Sequence, residues 1–187
     1  MRKLIVFNSV SLDGYFTDKG GDMSWAHKND PEWNEFVAGN AKGGDGPLLF
    51  GRVTYEMMAS WWPSPQAIQM MPDVANAMNN LPKVVFSRTL KEATWNNTRL
   101  IKENMVDEVQ KLKNESGADM LIFGSGTIVS QLTEEGLIDE YQIVLNSLVL
   151  GSGRTMFETL THKVPMKRTS TRTFDNGNVL LCYEPVG

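Results

Sequence analysis

The strongest constraint on this chain is a pair of short apolar runs that each end in a glycine-led turn. Leu48-Leu49-Phe50 precedes Gly51-Arg52-Val53-Thr54, and Met120-Leu121-Ile122-Phe123 precedes Gly124-Ser125-Gly126-Thr127. Runs of this length, bounded by turn residues, are too short for helices and read as buried parallel strands. In such sheets ligands gather at the carboxyl ends of the strands. A helix opening there carries unpaired N–H groups and about half a positive charge, which suits an anion. Two such turns together suit a cofactor with two linked phosphates.

The length of 187 residues and an ordinary composition predict one domain spanning 1–187, large enough to bury a core and form a cleft. A net charge of −4 without a Lys/Arg run argues against a nucleic-acid partner or an anionic membrane surface. Any anion site must therefore be local. The single cysteine, Cys182, has no internal disulfide partner and fits a reducing compartment. Leu4-Ile5-Val6-Phe7 is too short an apolar run for a signal peptide or a transmembrane helix. The expectation is a soluble, cytoplasmic protein.

Along the chain, residues 3–9 read as a central strand and 10–25 as a glycine-bearing loop of the length often used for lids. Asp30 before Pro31 reads as an N-cap, with Trp33, Phe36 and Val37 on one helix face and Gly39 ending it. A strand at 48–50 leads into a helix from 52 to about 58, and residues 70–80 carry only a weak pattern. Strands follow at 83–86 and 98–101. Val106, Val109 and Leu112 recur at helical spacing over 105–116, with Gly117 as the stop. A strand at 120–123, a helix ending near Gly136, and a strand at 140–145 come next. Residues 166–174 and 179–184 alternate around Asp175-Asn176-Gly177-Asn178, a hairpin signal. The architecture implied is α/β: a mostly parallel twisted sheet flanked by helices, finished by a C-terminal antiparallel hairpin.

This order of parts resembles the dihydrofolate-reductase-like superfamily, and most closely the riboflavin-biosynthesis reductase branch (RibD C-terminal-like) in its stand-alone form. The resemblance rests on Ser11-Leu12-Asp13-Gly14, Gly51-Arg52-Val53-Thr54, Val85-Phe86-Ser87-Arg88, Phe123-Gly124-Ser125-Gly126, Leu137-Ile138-Asp139-Glu140 and Leu150-Gly151-Ser152-Gly153-Arg154. Each motif is weak singly; in this order and spacing they are specific. The resemblance implies a three-layer α/β/α fold, a homodimer, and a reductase taking hydride from NADPH. Its substrate would be a ribosylaminopyrimidine-like or pterin-like heterocycle, with 5-amino-6-(5-phosphoribosylamino)uracil reduction in riboflavin biosynthesis as the named candidate. The zinc deaminase partner domain of the full riboflavin enzyme has no counterpart here, since the sequence lacks His-x-Glu and Pro-Cys-x-x-Cys. Two alternatives stay open: a dihydrofolate reductase proper, using Asp30 or Glu32 as the pteridine carboxylate, and a catalytically idle NADP-binding or assembly module.

The candidate cofactor residues are Gly51, Arg52, Thr54, Ser87, Arg88, Gly124, Ser125, Gly126 and Thr127. Gly124-Ser125-Gly126 is either a tight turn needing positive φ or a phosphate loop. It is not the three-glycine dinucleotide fingerprint, because Val129 stands at the third position. Arg52 at the first turn of a helix opposes the dipole unless an anion is present. Ser87 and Arg88 offer a hydroxyl and a guanidinium fork to an adenosine 2′-phosphate, or a plain loop charge. Asp13 is a turn former or a substrate-side carboxylate that binds or relays a proton, and Glu32 is the second catalytic candidate. Trp25, Trp61 and Trp62 read first as core-edge or dimer contacts, and second as stacking partners for a flat heterocycle, Trp25 being the substrate-binding candidate. His27 and His162 lack partners at ligand spacing, so no metal site is expected. Ser125 lacks the nucleophile-elbow pattern of a hydrolase.

Overall fold

In the computed structural model, which describes residues 1–28, 30–42 and 45–187, the chain begins with β1 (Leu4–Val10), a 3-10 turn (Ser24–Ala26) and α1 (Pro31–Lys42). β2 (Leu48–Gly51) leads directly into α2 (Arg52–Trp61), followed by α3 (Pro65–Met70), α4 (Pro72–Asn80), β3 (Lys83–Phe86) and β4 (Thr98–Ile101). α5 (Met105–Asn114), β5 (Met120–Phe123), α6 (Gly126–Glu134), β6 (Glu140–Leu145), β7 (Met166–Thr173) and β8 (Val179–Pro185) complete it. The eight strands form one sheet in the order β4-β3-β2-β5-β1-β6-β8-β7. β1 to β6 run parallel, and β8 pairs antiparallel with both β6 and β7.

Side-chain alternation assigns the two faces of the sheet. Leu4, Val6, Leu49, Val84 and Ile122 pack against Val109 and Leu112 of α5 and Ile128, Val129 and Leu132 of α6. On the opposite face Leu48, Phe50 and Val85 meet Tyr55 of α2 and Val74 and Met78 of α4, while Val144 and Leu180 meet Trp33 of α1. Helices on both faces are what the continuous apolar runs of the central strands require. The Leu137-Ile138-Asp139-Glu140 motif serves this packing. The Asp139 carboxylate accepts from the Leu4 amide (2.7 Å) and from the Lys113 ammonium, tying the start of β1 to the end of α5.

Two local expectations are corrected. Gly39 does not end α1, which continues through Lys42; a glycine weakens a helix interior without forbidding it. Residues 70–80, where the sequence pattern was weak, hold the end of α3 and all of α4. Each begins with a proline at its first turn, and Ser64 Oγ caps the first by accepting from the Ala67 amide at 3.1 Å. The Asp30 cap is present as expected, its carboxylate accepting from the Trp33 amide at 2.8 Å. At the sheet's edge β7 is exposed along nearly its whole length, bears Lys167, Arg168 and Arg172, and is interrupted by an irregularity between Arg168 and Ser170. No helix among the described residues is long and apolar enough to cross a membrane.

Lys83 opens β3 and is buried, with 1 % exposure. Its ammonium donates to the carbonyls of Asn79, Leu81 and Asn96 at 3.2, 2.7 and 3.0 Å and lies 4.5 Å from the Trp95 ring centroid. The side chain thus closes the carbonyl end of α4 onto the strand. Burial lowers its pKa to about 8 from the ordinary 10.5. The unfolded chain therefore holds this proton more tightly between those values, and the Lys83 contribution to stability rises as pH climbs through that window. In urea titrations from pH 8 to 10.5, the stability of wild type relative to Lys83→Met is expected to increase; a flat difference would show that the folded chain keeps the proton.

Candidate functional site

Because β2 and β5 pair in parallel, with Leu48 opposite Leu121 and Leu49 opposite Ile122, the two glycine turns leave the sheet side by side. α2 and α6 both open there, and their first-turn amides lack intrahelical acceptors. The neighbouring strands end at the same level. Phe86 is paired with Ile101, and the Ser87 amide donates to the Ile101 carbonyl at 3.0 Å, so Arg88 and Lys102 leave adjacent strands together. The result is a cavity of about 680 Å³, a size typical of small-molecule sites.

The turns are joined by one hydroxyl. Ser125 Oγ accepts from the Gly51 amide at 2.8 Å and donates to Thr54 Oγ1 at 3.0 Å. Gly124 adopts φ +57, and a Cβ on it would lie 3.0 Å from Thr54 Oγ1. Gly126 needs to be glycine for a different reason: a Cβ there would press into the Phe16 ring at 2.7 Å. Both glycines are thus required by close packing of the turns and of the loop carrying Phe16.

The cavity's charge is unlike that of the whole chain. Its charged lining consists of four basic side chains, Arg52, Arg88, Lys102 and Arg154, against one carboxylate, Glu103, in a protein of net charge −4. Arg52 is paired with Glu56 (2.9 Å) and Arg154 with Glu158 (3.3 Å), so Arg52 is compensated one helical turn away and does not need an anion to sit at its helix start. Arg88 and Lys102 are exposed and have no ion-pair partner among the described residues. Ser87 Oγ accepts from the Thr89 and Leu90 amides at 3.2 and 2.9 Å, which leaves its own proton to donate. Two helix starts, hydroxyl donors and unpaired cations form a donor set for a phosphorylated ligand.

The sequence profile of the RibD C-terminal domain matches residues 2–180. The chain belongs to the RibD C-terminal domain family. It is 27 % identical to the uncharacterized protein YyaP of Bacillus subtilis (strain 168) over 183 residues, covering 97 % of this chain and 94 % of that one. A solved protein of Shewanella sp. PV-4, provisionally assigned to riboflavin biosynthesis, superposes with a TM-score of 0.73 at 24 % identity, over 99 % of both chains. The dihydrofolate reductase of Enterococcus faecalis, solved in complex with NADP(H) and RAB-propyl, shares the fold. Its TM-score is 0.64 at 14 % identity, covering 99 % of this chain and 97 % of that one.

Within this RibD C-terminal domain, Gly51, Arg52, Thr54, Ser87, Arg88, Ser125, Gly126 and Thr127 all line this cavity, and Gly124 packs behind it on Thr54. The other three candidates lie elsewhere. The Asp13 carboxylate accepts from Ser11 Oγ (2.7 Å) and from the amides of Leu150 (3.1 Å) and Gly151 (2.7 Å). It clamps two loops and is not among the residues that line the cavity. Glu32 accepts from Arg172 at 3.1 Å and the Asp175 amide at 3.2 Å, against the β7–β8 hairpin; that amide, then Arg172, holds its carboxyl below the ordinary range. Trp25 donates its indole N–H to the Asp22 carbonyl at 3.1 Å and does not line the cavity.

Lys102, Arg154 and Phe16 line the cavity but were not selected from the sequence. Lys102 follows β4 as Arg88 follows the end of β3, and that strand-end position was a readable signal. Phe16 and Arg154 are brought together by backbone bonds between their loops, Phe16 N–H to the Arg154 carbonyl at 2.9 Å and Arg154 N–H to the Thr17 carbonyl at 3.1 Å. Asn8, buried in β1, donates to the Gly124 carbonyl at 3.3 Å and to Met156 Sδ at 2.9 Å.

Asp13 therefore holds the cavity wall indirectly. Its carboxyl is kept below the usual carboxylate range, foremost by the Ser11 hydroxyl and then by the Leu150 and Gly151 amides. A depressed folded-state pKa means that the clamp is intact at neutral pH and is lost as pH falls through that lowered value. Asp13→Ala is expected to speed hydrogen exchange at Leu150 and Gly151 at pH 7, and wild type to approach the variant's rates only in acid. Unchanged exchange at both amides would remove the clamp assignment.

Proposed function

We propose that this chain is an NADPH-dependent reductase acting on a planar heterocycle of the ribosylaminopyrimidine type. The observation that carries the proposal is the basic cavity at the meeting of two helix N-termini, in a chain that is acidic overall. Membership of the RibD C-terminal domain family and the fold shared with a reductase solved with NADP(H) support it.

In this reading the amides opening α2 and α6, with the Thr54 and Thr127 hydroxyls, take the diphosphate. Ser87 and Arg88, with Lys102 beside them, take the 2′-phosphate. NADPH, when bound, supplies the hydride. The Phe16 and Thr17 loop, held by the Asp13 clamp, walls the cavity, and with the cofactor bound it would limit the access of water. The chain's part in the chemistry is chiefly orientation and exclusion of solvent.

The pyrimidine reading is preferred to a pteridine because both acidic candidates for an amidinium partner are engaged elsewhere. Asp30 caps α1, and Glu32 is held by Arg172 and Asp175. Methotrexate at micromolar concentration is accordingly expected not to raise the melting temperature; a clear upward shift would favour a dihydrofolate reductase.

Arg88→Ala is expected to weaken NADPH by about ten- to a hundredfold while leaving NADH nearly unchanged, the range for losing one charge-assisted contact. Fluorescence titration of both cofactors measures it. Loss of NADPH absorbance on adding 5-amino-6-(5-phosphoribosylamino)uracil or its dephosphorylated form tests the reaction. Tight NADPH binding without oxidation across such heterocycles would favour an idle NADP-binding module.

A further inference from the structure

Ser125 occupies a position where its side chain is conformationally unfavourable. It adopts φ 60, ψ 56, the left-handed region, between glycines at 124 and 126. A serine there carries strain that glycine would avoid, so its hydroxyl must offset that strain.

The hydrogen bonds show how the hydroxyl is used. It accepts from the Gly51 amide, at the junction of β2 and α2, and gives its only proton to Thr54 Oγ1, in the first turn of α2. A hydroxyl whose proton is committed has none to offer a phosphate oxygen. Thr54 Oγ1, accepting from Ser125, keeps its own proton, and Thr54 lines the cavity. On the other side of the turn, Asn8 Nδ2 holds the Gly124 carbonyl. The start of α6 is thereby tied to the start of α2 and to β1 by side-chain hydrogen bonds.

We propose that Ser125 is a positioning residue that fixes the spacing of the α2 and α6 N-termini and holds the Thr54 hydroxyl in place at the cavity. This rests on the NADPH reading above and reassigns one residue within it: Ser125 sets the geometry and Thr54 makes the contact. Subsites reached from β3 and β4, such as Ser87 and Arg88, do not depend on the bolt.

The test compares two probes, NADP⁺ and adenosine 2′-monophosphate, by isothermal titration on the full chain. Ser125→Ala and Thr54→Val are each expected to weaken NADP⁺ by about tenfold, the scale of one lost hydrogen bond to a charged group. The monophosphate should stay within twofold of wild type. The double variant should lose less NADP⁺ affinity than the sum of the two single losses, because both substitutions break the shared Ser125–Thr54 bond. Ser125→Gly removes the hydroxyl while suiting the left-handed backbone, so it should reproduce the loss with a folded circular-dichroism spectrum even where the alanine variant folds poorly. Wild-type affinity for NADP⁺ in Ser125→Gly, equal loss of both probes, or additive loss in the double variant would overturn the assignment. A wild-type protein that binds the monophosphate but not NADP⁺ would overturn the NADPH reading itself and the assignment with it.

Discussion

The parallel pairing of β5 with β1 on one side and β2 on the other is the constraint on which the rest of the structure depends. Parallel strands must be joined by crossovers, so successive strands enter from the same end of the sheet and helices open at the other. β2 and β5 are far apart in sequence, yet their neighbouring positions bring both helix starts to one edge of the same cavity. Both faces of these strands are covered by helices. The helix N-termini are therefore anchored to strands whose Leu49, Phe50, Met120 and Ile122 are fully buried, which makes for a preorganised cavity edge.

Much of the fold was legible because the short strands are apolar runs closed by turn residues. Residues 83–86, 98–101, 120–123 and 140–145 appear as strands with the expected bounds. Residues 70–80 were obscure because exposed Met70 and the asparagines leave the helical face weakly marked; Val74, Ala75 and Met78 become recognisable as a buried face only once β3 and Trp95 lie against it. At the site, glycine turns and strand-end residues were readable because backbone geometry dictates them. The placement of Asp13 and Glu32 was less legible, since apart from Ser11 beside Asp13 the groups that hold their carboxylates are distant in sequence: Leu150 and Gly151 for one, Arg172 and Asp175 for the other. A carboxylate's chemistry is set by its partners, and one-dimensional spacing does not contain them.

The glycines teach a related lesson. Gly124 and Gly126 look like residues kept small for a ligand, but the atoms that exclude a side chain there belong to Thr54 and Phe16. Close approach of protein to protein builds the surface on which close approach of ligand to protein then becomes possible. The loop from Ser11 to Thr17 takes part in this, since Phe16 rests on Gly126 while Asp13, three residues earlier, is fastened to the 150–151 corner.

The last strand in the sheet order, β7, has a different consequence. An exposed edge is a template for adding further strands from other molecules. Here Lys167, Arg168 and Arg172 stand along it, and the irregularity at Arg168 to Ser170 breaks the regular row of backbone donors and acceptors. A second copy approaching antiparallel would bring like charges together across a ladder that does not match. The sheet thus carries its own stop signal, a charged and irregular edge that disfavours the addition of further strands from that side.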